Sequence, residues 1–166
     1  MARSTASGSI DFEQLYRTSR DDVYAFVAAM VRDRGAAEEV TAAAFERALR
    51  RRSSYSAGRG SPRAWLFGIA RNAAYDELRR RVRSEPMADP EERRPPAGDT
   101  TAETALRRAA LADALARLSR EDRELVGLKF EAGLANGEIA TVLGISESNV
   151  GTRLSRAVAK LRAAMA

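Results

Sequence analysis

Ser148, Asn149, Thr152, Arg153, Ser155 and Arg156 fall within nine consecutive residues near the end of a 166-residue chain, and their types suit the reading of DNA. Arg and Asn can make paired hydrogen bonds to base edges in a major groove, while Ser and Thr reach phosphate oxygens. The residues between and beyond them, Val150, Leu154, Ala157, Val158 and Leu161, share one helical face at about 100° per residue. That stripe turns Ser148, Thr152, Ser155 and Arg156 outward and leaves Asn149 and Arg153 on the flank. No carboxylate follows Glu147 on the outward face, so it is polar and cationic. The plain alternative is an amphipathic helix that completes a bundle.

Other chemistries are poorly supplied. The chain has no cysteine and no histidine, which excludes disulfides, thiol catalysis, the usual zinc sites and the common proton shuttle. Acidic pairs such as Asp21-Asp22 and Glu38-Glu39 stand without a Gly-rich phosphate loop, and suit the N-terminal ends of helices, where the dipole favours negative charge. An enzyme is therefore the least supported class, and neither catalytic residue, metal nor cofactor is expected. Residues 1–9 are polar and small, and no apolar run approaches the ~18 residues of a membrane span. A cytoplasmic protein without membrane insertion is expected.

Charge is unevenly distributed. Residues 1–83 carry 16 basic and 10 acidic side chains, 84–103 carry 2 and 6, and 104–166 carry 10 and 7. Basic ends flank an acidic middle, a balance that favours polyanionic partners through counterion release and also suits solvated helical faces.

The elements that must position the outward face follow from periodicity. Apolar residues at helical spacing predict two helices between Ile10 and Val31, one with Phe12, Leu15 and Tyr16 and one with Val23, Phe26, Val27, Met30 and Val31. A third follows after Asp33 and Gly35, with Val40, Ala44, Phe45, Ala48 and Leu49 inward. Residues 53–60 are rich in Ser and Gly and predict an exposed loop. Ser61 as N-cap and Pro62 as first helical residue restart the chain, because the hydroxyl accepts from a free N–H and Pro lacks only a donor that would be unpaired. That helix runs to about Val82 and is expected to bury Trp65, Leu66, Ile69, Ala73 and Leu78.

Residues 84–100 hold four prolines, five acidic residues, two arginines and only Met87 as a large apolar residue. Such a segment has little to offset its ordering entropy and predicts a flexible linker, here drawn over 84–103, between helical domains at 9–83 and 104–166. Beyond it, Leu106, Ala110, Leu111, Ala114, Leu115 and Leu118 predict one helix. Ser119 caps the next, with Glu121 and Asp122 in its first turn. Gly133 ends it, Asn136 caps a short helix holding Ile139, Ala140 and Leu143, Gly144 makes a turn, and Ser146 caps the last helix. Residues 136–161 thus read as a helix-turn-helix, with Ile139, Leu143, Ile145, Val150 and Leu154 between its helices.

Two stretches carry a family resemblance. Leu118-Ser-Arg-Glu-Asp-Arg-Glu-Leu-Val followed by Glu138-Ile-Ala-Thr-Val-Leu-Gly-Ile-Ser-Glu-Ser-Asn-Val-Gly-Thr-Arg-Leu-Ser-Arg-Ala closely resembles region 4 of the extracytoplasmic-function (ECF, group 4) sigma factors of bacterial RNA polymerase. Ser61-Pro-Arg-Ala-Trp-Leu-Phe-Gly-Ile-Ala-Arg-Asn and Asp76-Glu-Leu-Arg-Arg-Arg resemble region 2 of the same family. The resemblance implies an all-α fold of two small helical domains. The helix-turn-helix would read the minus-thirty-five promoter element, and region 2 would bind core polymerase and melt the minus-ten element. Promoter-specific transcription initiation would be the function, with the beta and beta-prime subunits of core, promoter DNA and an anti-sigma factor as partners.

The resemblance also implies particular residues. Ser53, Ser54 and Tyr55, with Asn72, Asp76, Arg79 and Arg80 on the following helix, would capture the minus-ten strand. Holding a flipped base by stacking and hydrogen bonds suits those side chains, and solvated surface residues would look the same. Trp65 lies on the apolar stripe and is expected in the core. Glu38, Glu39, Phe45, Glu46 and Arg47 would contact core polymerase. Here the chain departs from the family's wording, with Thr41-Ala42-Ala43-Ala44-Phe45 where relatives usually carry Gln and an acidic residue before the Phe. Weakened core binding would follow. The acidic linker would thread through polymerase or act as a plain tether. Only two of the 28 basic residues are lysines, Lys129 and Lys160, and such Ala- and Arg-heavy usage is what a GC-rich bacterial genome gives.

Two rival readings follow from the same residues. One is a stand-alone helix-turn-helix regulator, whose N-terminal domain would serve for dimerisation or sensing. The other is a sigma-like adaptor or decoy with weakened core binding.

Overall fold

In a computed structural model, residues 9–84 and 101–166 are described, and they are helical throughout their ordered elements. The N-terminal unit contains α1 (Phe12–Val31), α2 (Arg34–Arg50) and α3 (Pro62–Ser84). The C-terminal unit contains α4 (Ala102–Arg117), α5 (Arg120–Val126), which runs on into a π-helical turn over Gly127–Glu131, then α6 (Asn136–Leu143) and α7 (Glu147–Met165).

Local chemistry sets most of the boundaries. Asp11 accepts from the Gln14 amide at 3.1 Å and starts α1. Asp33 does the same for the Ala36 amide at 3.0 Å and starts α2. The Ala36 amide, with help from Arg81, holds the Asp33 carboxyl below its ordinary value against a smaller opposing effect of burial. Arg81 reaches that corner from α3, pairing with Asp33 at 3.1 Å and donating to the Val31 carbonyl at 3.1 Å. Ser61 Oγ accepts from the Ala64 amide at 3.1 Å, as expected of the cap before Pro62. Ser119 and Ser146 cap α5 and α7 through the Asp122 and Asn149 amides. Gly144 ends α6 at φ +67°, a left-handed conformation that costs a side-chain-bearing residue about 1–2 kcal/mol.

Several expectations are corrected. α1 is one helix rather than two, because nothing between Phe12 and Val31 breaks it and most of its polar residues face solvent. Ala135, not Asn136, occupies the cap of α6, and its amide donates to Glu138 at 3.2 Å. Asn136 instead accepts from Lys129 Nζ at 3.0 Å. Leu49 points outward, as do Leu106 and Leu111, so α4 presents most of its apolar stripe to solvent and buries only Ala114. Trp65 and Leu78 are half-buried, while Phe67 is fully enclosed. The proposed linker falls almost wholly on residues 85–100, outside the described residues.

The apolar core does not stop at the boundary between units. Phe26 and Phe67 meet edge-on at 5.6 Å, surrounded by Val23, Val27, Leu66 and Ala70 from α1 and α3. Leu125, Leu128, Leu134, Ile139 and Val150 of the C-terminal unit join the same cluster. Each such side chain contributes on the order of 1.5–3 kcal/mol when buried. A separate small cluster of Leu118, Val126 and Ala157 ties α4, α5 and α7 together.

Candidate nucleic-acid and polymerase interface

The face of α7 that the sequence offers for reading DNA has the arrangement its periodicity dictates. Val150, Leu154 and Ala157 are buried, Val158 and Leu161 are partly so, and Ser148, Thr152, Arg153, Ser155 and Arg156 are exposed, with Asn149 half-buried on the flank. Thr152 donates to the Ser148 carbonyl at 3.2 Å, which leaves its oxygen lone pairs facing outward. No ion pair among the described residues engages Arg153 or Arg156, so both guanidinium groups are available to an anionic ligand. Free backbone N–H groups at the start of α7 add positive potential at the same end. Behind this face, Lys129, Phe130, Asn136, Leu154, Val158 and Arg162 line a groove of about 430 Å³, with Phe130 64% exposed.

The second edge lies on α3 and the segment before it. Residues 52–59 form two short 3-10 turns, not a featureless loop. Tyr55 donates to the Gly60 carbonyl at 2.9 Å and its ring meets Trp65 edge-on at 5.7 Å. Trp65 therefore props the loop as well as touching the core. Ser53 and Ser54 are exposed, and Ser54 Oγ donates to the Arg51 carbonyl at 2.6 Å. Asn72, Asp76, Arg79 and Arg80 share the exposed side of α3. Their charges are engaged: Asp76 accepts from Arg79 at 2.9 Å, and Arg80 pairs with Glu77 at 2.7 Å. The Arg80 hydrogen bond is the main cause that keeps the Glu77 carboxyl below its ordinary value.

The α2 residues divide. Glu38, Glu39 and Glu46 are exposed, and Glu46 pairs with Arg50 at 2.5 Å. Arg47 is half-buried and donates to Asp76 at 3.0 Å, which joins the exposed side of α2 to the α3 edge. Phe45 is buried to 6% exposure, edge-on to Tyr16 at 4.9 Å and Phe12 at 6.4 Å. Its first role is to pack α2 on α1. One ring edge still lines a groove of about 480 Å³ with Tyr16, Arg20, Tyr24, Glu38 and Ala42. Of the departing residues, Ala42 is exposed in that groove, Ala43 is half-buried, and buried Thr41 donates to the Ala37 carbonyl at 2.6 Å.

A third set of residues was not anticipated. The Glu124 carboxylate, 3% exposed, accepts from the Arg71 guanidinium and, at 2.6 Å, from the Tyr75 hydroxyl. Burial first, then the bond to Glu124, raises the Tyr75 hydroxyl to about 12. Arg63 reaches the C-terminal unit from α3, donating to the Ala132 carbonyl at 2.5 Å while pairing with Asp22 at 2.6 Å. Ser61 donates to Glu138 at 2.5 Å. One signal was visible in the sequence: Glu124 shares a helical face with Leu128, four residues on, where an apolar residue would be expected.

A helix-turn-helix of the DNA-binding kind joined to a helical bundle defines the broad class. Residues 15–84 match Sigma-70 region 2 and residues 108–161 match Sigma-70, region 4. Among curated proteins, the chain is 35% identical over 164 residues to the ECF RNA polymerase sigma factor BldN of Streptomyces coelicolor, covering 96% of this chain and 62% of that protein. It is 40% identical over 102 residues to SigL of Mycobacterium tuberculosis, covering 60% of this chain and 58% of that protein. With SigK of Mycobacterium ulcerans it shares 31% identity over 172 residues, covering 98% and 90%. The chain thus spans about three-fifths of the length of BldN and SigL. It belongs to the ECF RNA polymerase sigma factor family.

Solved structures agree on the fold. The sigma factor RpoE from Bartonella quintana, in complex with the anti-sigma factor NepR, superposes with a TM-score of 0.75 at 24% identity, covering 93% of this chain and 96% of that one. CnrH, in complex with the cytosolic domain of CnrY, gives 0.68 at 26% identity, covering 92% and 85%.

Proposed function

We propose that this chain is a sigma factor that binds core RNA polymerase, through its beta and beta-prime subunits, and directs initiation at a specific set of promoters. The observation that carries this reading is the match to both sigma regions within one chain, together with an exposed, carboxylate-free recognition face on α7. Residues 9–83 would bind core and open the minus-ten element, 84–103 would link, and 104–166 would read the minus-thirty-five element. In the last of these, Arg153, Arg156 and Asn149 would contact bases, and Ser148, Thr152 and Ser155 would contact phosphates or base edges.

At the minus-ten element, Ser53, Ser54 and Tyr55 would hold a flipped base, and Asn72, Asp76, Arg79 and Arg80 would track the strand. Tyr55 would have to leave Trp65 to stack on a base, and Arg79 and Arg80 would exchange carboxylates for phosphates. Glu38, Glu39, Glu46 and Arg47 would meet core polymerase around the Ala42 groove, with Phe45 supporting its floor.

No helix among the described residues is long and apolar enough to cross a membrane, and the reading places the protein in the cytoplasm with polymerase, acting without catalysis or a cofactor. An anti-sigma factor is the proposed regulator, by analogy with RpoE of Bartonella quintana, which was solved in complex with one.

Run-off transcription by sigma-free core on genomic DNA, with sequencing of RNA 5′ ends, tests the reading. New start sites sharing two spaced upstream motifs are expected. Absence of new starts together with absence of core binding would leave the regulator or decoy reading in its place.

A further inference from the structure

Charge is neutralised unevenly where α2 meets α3. No carboxylate occurs between Glu46 and Asp76, a stretch that holds seven arginines. Four of them find partners elsewhere in the fold: Arg47 pairs with Asp76, Arg50 with Glu46, Arg63 with Asp22 and Arg71 with Glu124. The other three, Arg51, Arg52 and Arg59, are exposed and have no ion pair among the described residues. Arg51 caps the end of α2, and Arg52 and Arg59 belong to the two 3-10 turns that follow.

The segment that carries them is held in one shape. Ser54 donates to the Arg51 carbonyl through its amide at 2.8 Å and its hydroxyl at 2.6 Å. The Arg59 amide donates to the Ser56 carbonyl at 3.0 Å. Tyr55 spans the loop, with its hydroxyl on the Gly60 carbonyl at 2.9 Å and its ring against Trp65. Gly60 closes the turn at φ +132° and ψ −179°, a region open essentially to glycine alone. Ser53 and Ser56 lie exposed between the arginines, and the Ser56 hydroxyl makes no capping bond.

The dipole of α2 favours a cation at its C-terminal end and accounts for Arg51. It falls off within a turn and does not account for Arg59. Like charges gathered on one short loop repel, and a bound polyanion removes that repulsion. Guanidinium forks suit phosphate oxygens, which they can engage two at a time.

We propose that Arg51, Arg52 and Arg59, with the hydroxyls of Ser53 and Ser56, form a phosphate-binding loop that takes successive phosphate groups of a linear polyanion. Two sources supply that chemistry: the backbone of a single DNA strand, and a free polyphosphate that would compete with the strand for the loop. The site rests on the charge and shape of the loop, and only the DNA strand as its occupant rests on the sigma-factor reading. Arg79 and Arg80, by contrast, would have to give up Asp76 and Glu77 before meeting a phosphate. Because the loop is already ordered, binding costs little further backbone entropy.

The full chain carrying Arg51→Gln, Arg52→Gln and Arg59→Gln tests the site against two probes, inorganic tripolyphosphate and a single-stranded DNA of about 12 nucleotides. Affinity for the DNA should fall with salt on logarithmic axes, with a slope of about −0.7 for each phosphate engaged. The triple variant should therefore show a slope shallower by about 2. Arg17→Gln, an exposed change on α1, should leave the slope as it is. Tripolyphosphate should displace the DNA from the wild-type chain and lose its own calorimetric binding in the triple variant.

A slope made shallower for DNA without tripolyphosphate binding assigns the loop to a strand, and loss of tripolyphosphate alone assigns it to a free polyphosphate. Binding of neither probe by the wild-type chain, or the same slope and the same tripolyphosphate binding in the triple variant, overturns the proposal. Should emission from Trp65, the only tryptophan, show that the triple variant disturbs the loop, the three single variants serve instead. Each should flatten the slope by about 0.7. Run-off transcription decides the sigma reading separately. Phosphate binding lost from a chain that never starts RNA keeps the site and sinks that reading, whereas a chain that starts RNA with both readouts unaltered in the triple variant sinks the site alone.

Discussion

The two helical units hold themselves together differently. The N-terminal unit closes α1, α2 and α3 around its own large side chains, with Phe26, Leu66 and Phe67 fully buried. Within the C-terminal unit, Leu118, Val126 and Ala157 form the small separate cluster, while Leu125, Leu128, Leu134 and Ile139 are lent to the larger core. A unit of roughly 60 residues buries only about 60% of its unfolded surface, so a neighbour that covers its apolar face adds much of its stability. The second unit therefore depends more on its neighbour than the first does. Opening the chain would uncover apolar surface chiefly on the unit that can least spare it.

Breaking the shared interface should give the largest effect. Arg71→Met leaves the Glu124 carboxylate buried without its cation, which should destabilise the chain by about 3–5 kcal/mol. Urea unfolding should reveal it as a lowered midpoint, and Glu124→Leu in the same chain should restore most of the loss. A neutral Arg71→Met would mean that the units do not depend on this pair.

The interface should also respond to pH through Glu131. Burial first, then the negative charge of Asp22, raises its carboxyl to about 7, and its Oε2 has no hydrogen-bond partner. Arg63 faces the same site from α3 but donates to the Glu131 carbonyl, at 3.5 Å. The packed form holds a proton that an exposed carboxyl would release near 4.5, so this contribution is complete below that value. It is lost as pH rises through about 7, by up to about 3 kcal/mol. The thermal midpoint should fall between about pH 5.5 and about pH 8, and Glu131→Gln should flatten the profile. No histidine titrates in that window to mask the result.

The two proposed DNA edges invite a sharper contrast. Arg153 has no ion-pair partner among the described residues, whereas Arg79 and Arg80 already hold carboxylates on α3. Arg153→Ala should weaken promoter contact by about 1–3 kcal/mol, read as transcript yield from a matched promoter at limiting protein. Unchanged yield would remove Arg153 from the reading face.

The smallest effect is expected on α2. Ala42→Gln with Ala43→Asp should tighten core binding severalfold, equivalent to about 1 kcal/mol for one added hydrogen bond. Position 42 opens on the groove and position 43 is half-buried, so most of the gain should come from Ala42→Gln. Equal titrations for both proteins would show that the departure from the family wording is without consequence.

The serine caps and the solvent-facing side of α7 were legible because their causes are local. Ser61, Ser119 and Ser146 cap where their hydroxyls meet the next free amides, and the spacing of Val150, Leu154 and Ala157 decides which side of α7 is wet. The division of residues 10–31 into two helices failed because polar residues such as Asp21 and Asp22 do not break a helix whose other side is continuously apolar.

By itself, then, the sequence determined an all-α chain, its serine caps at Ser61, Ser119 and Ser146, its helix-turn-helix and the family to which it belongs, all of which rest on spacings of a few residues. Only the tertiary structure decided that Phe45 supports a groove from beneath, that Trp65 props the 53–60 loop, that α4 exposes its leucines and that Glu124, Arg63 and Glu138 fasten one unit to the other. These outcomes depend on partners more than forty residues apart or on which helix face finds a neighbour. Helical periodicity places a side chain on a face, but not what that face will meet.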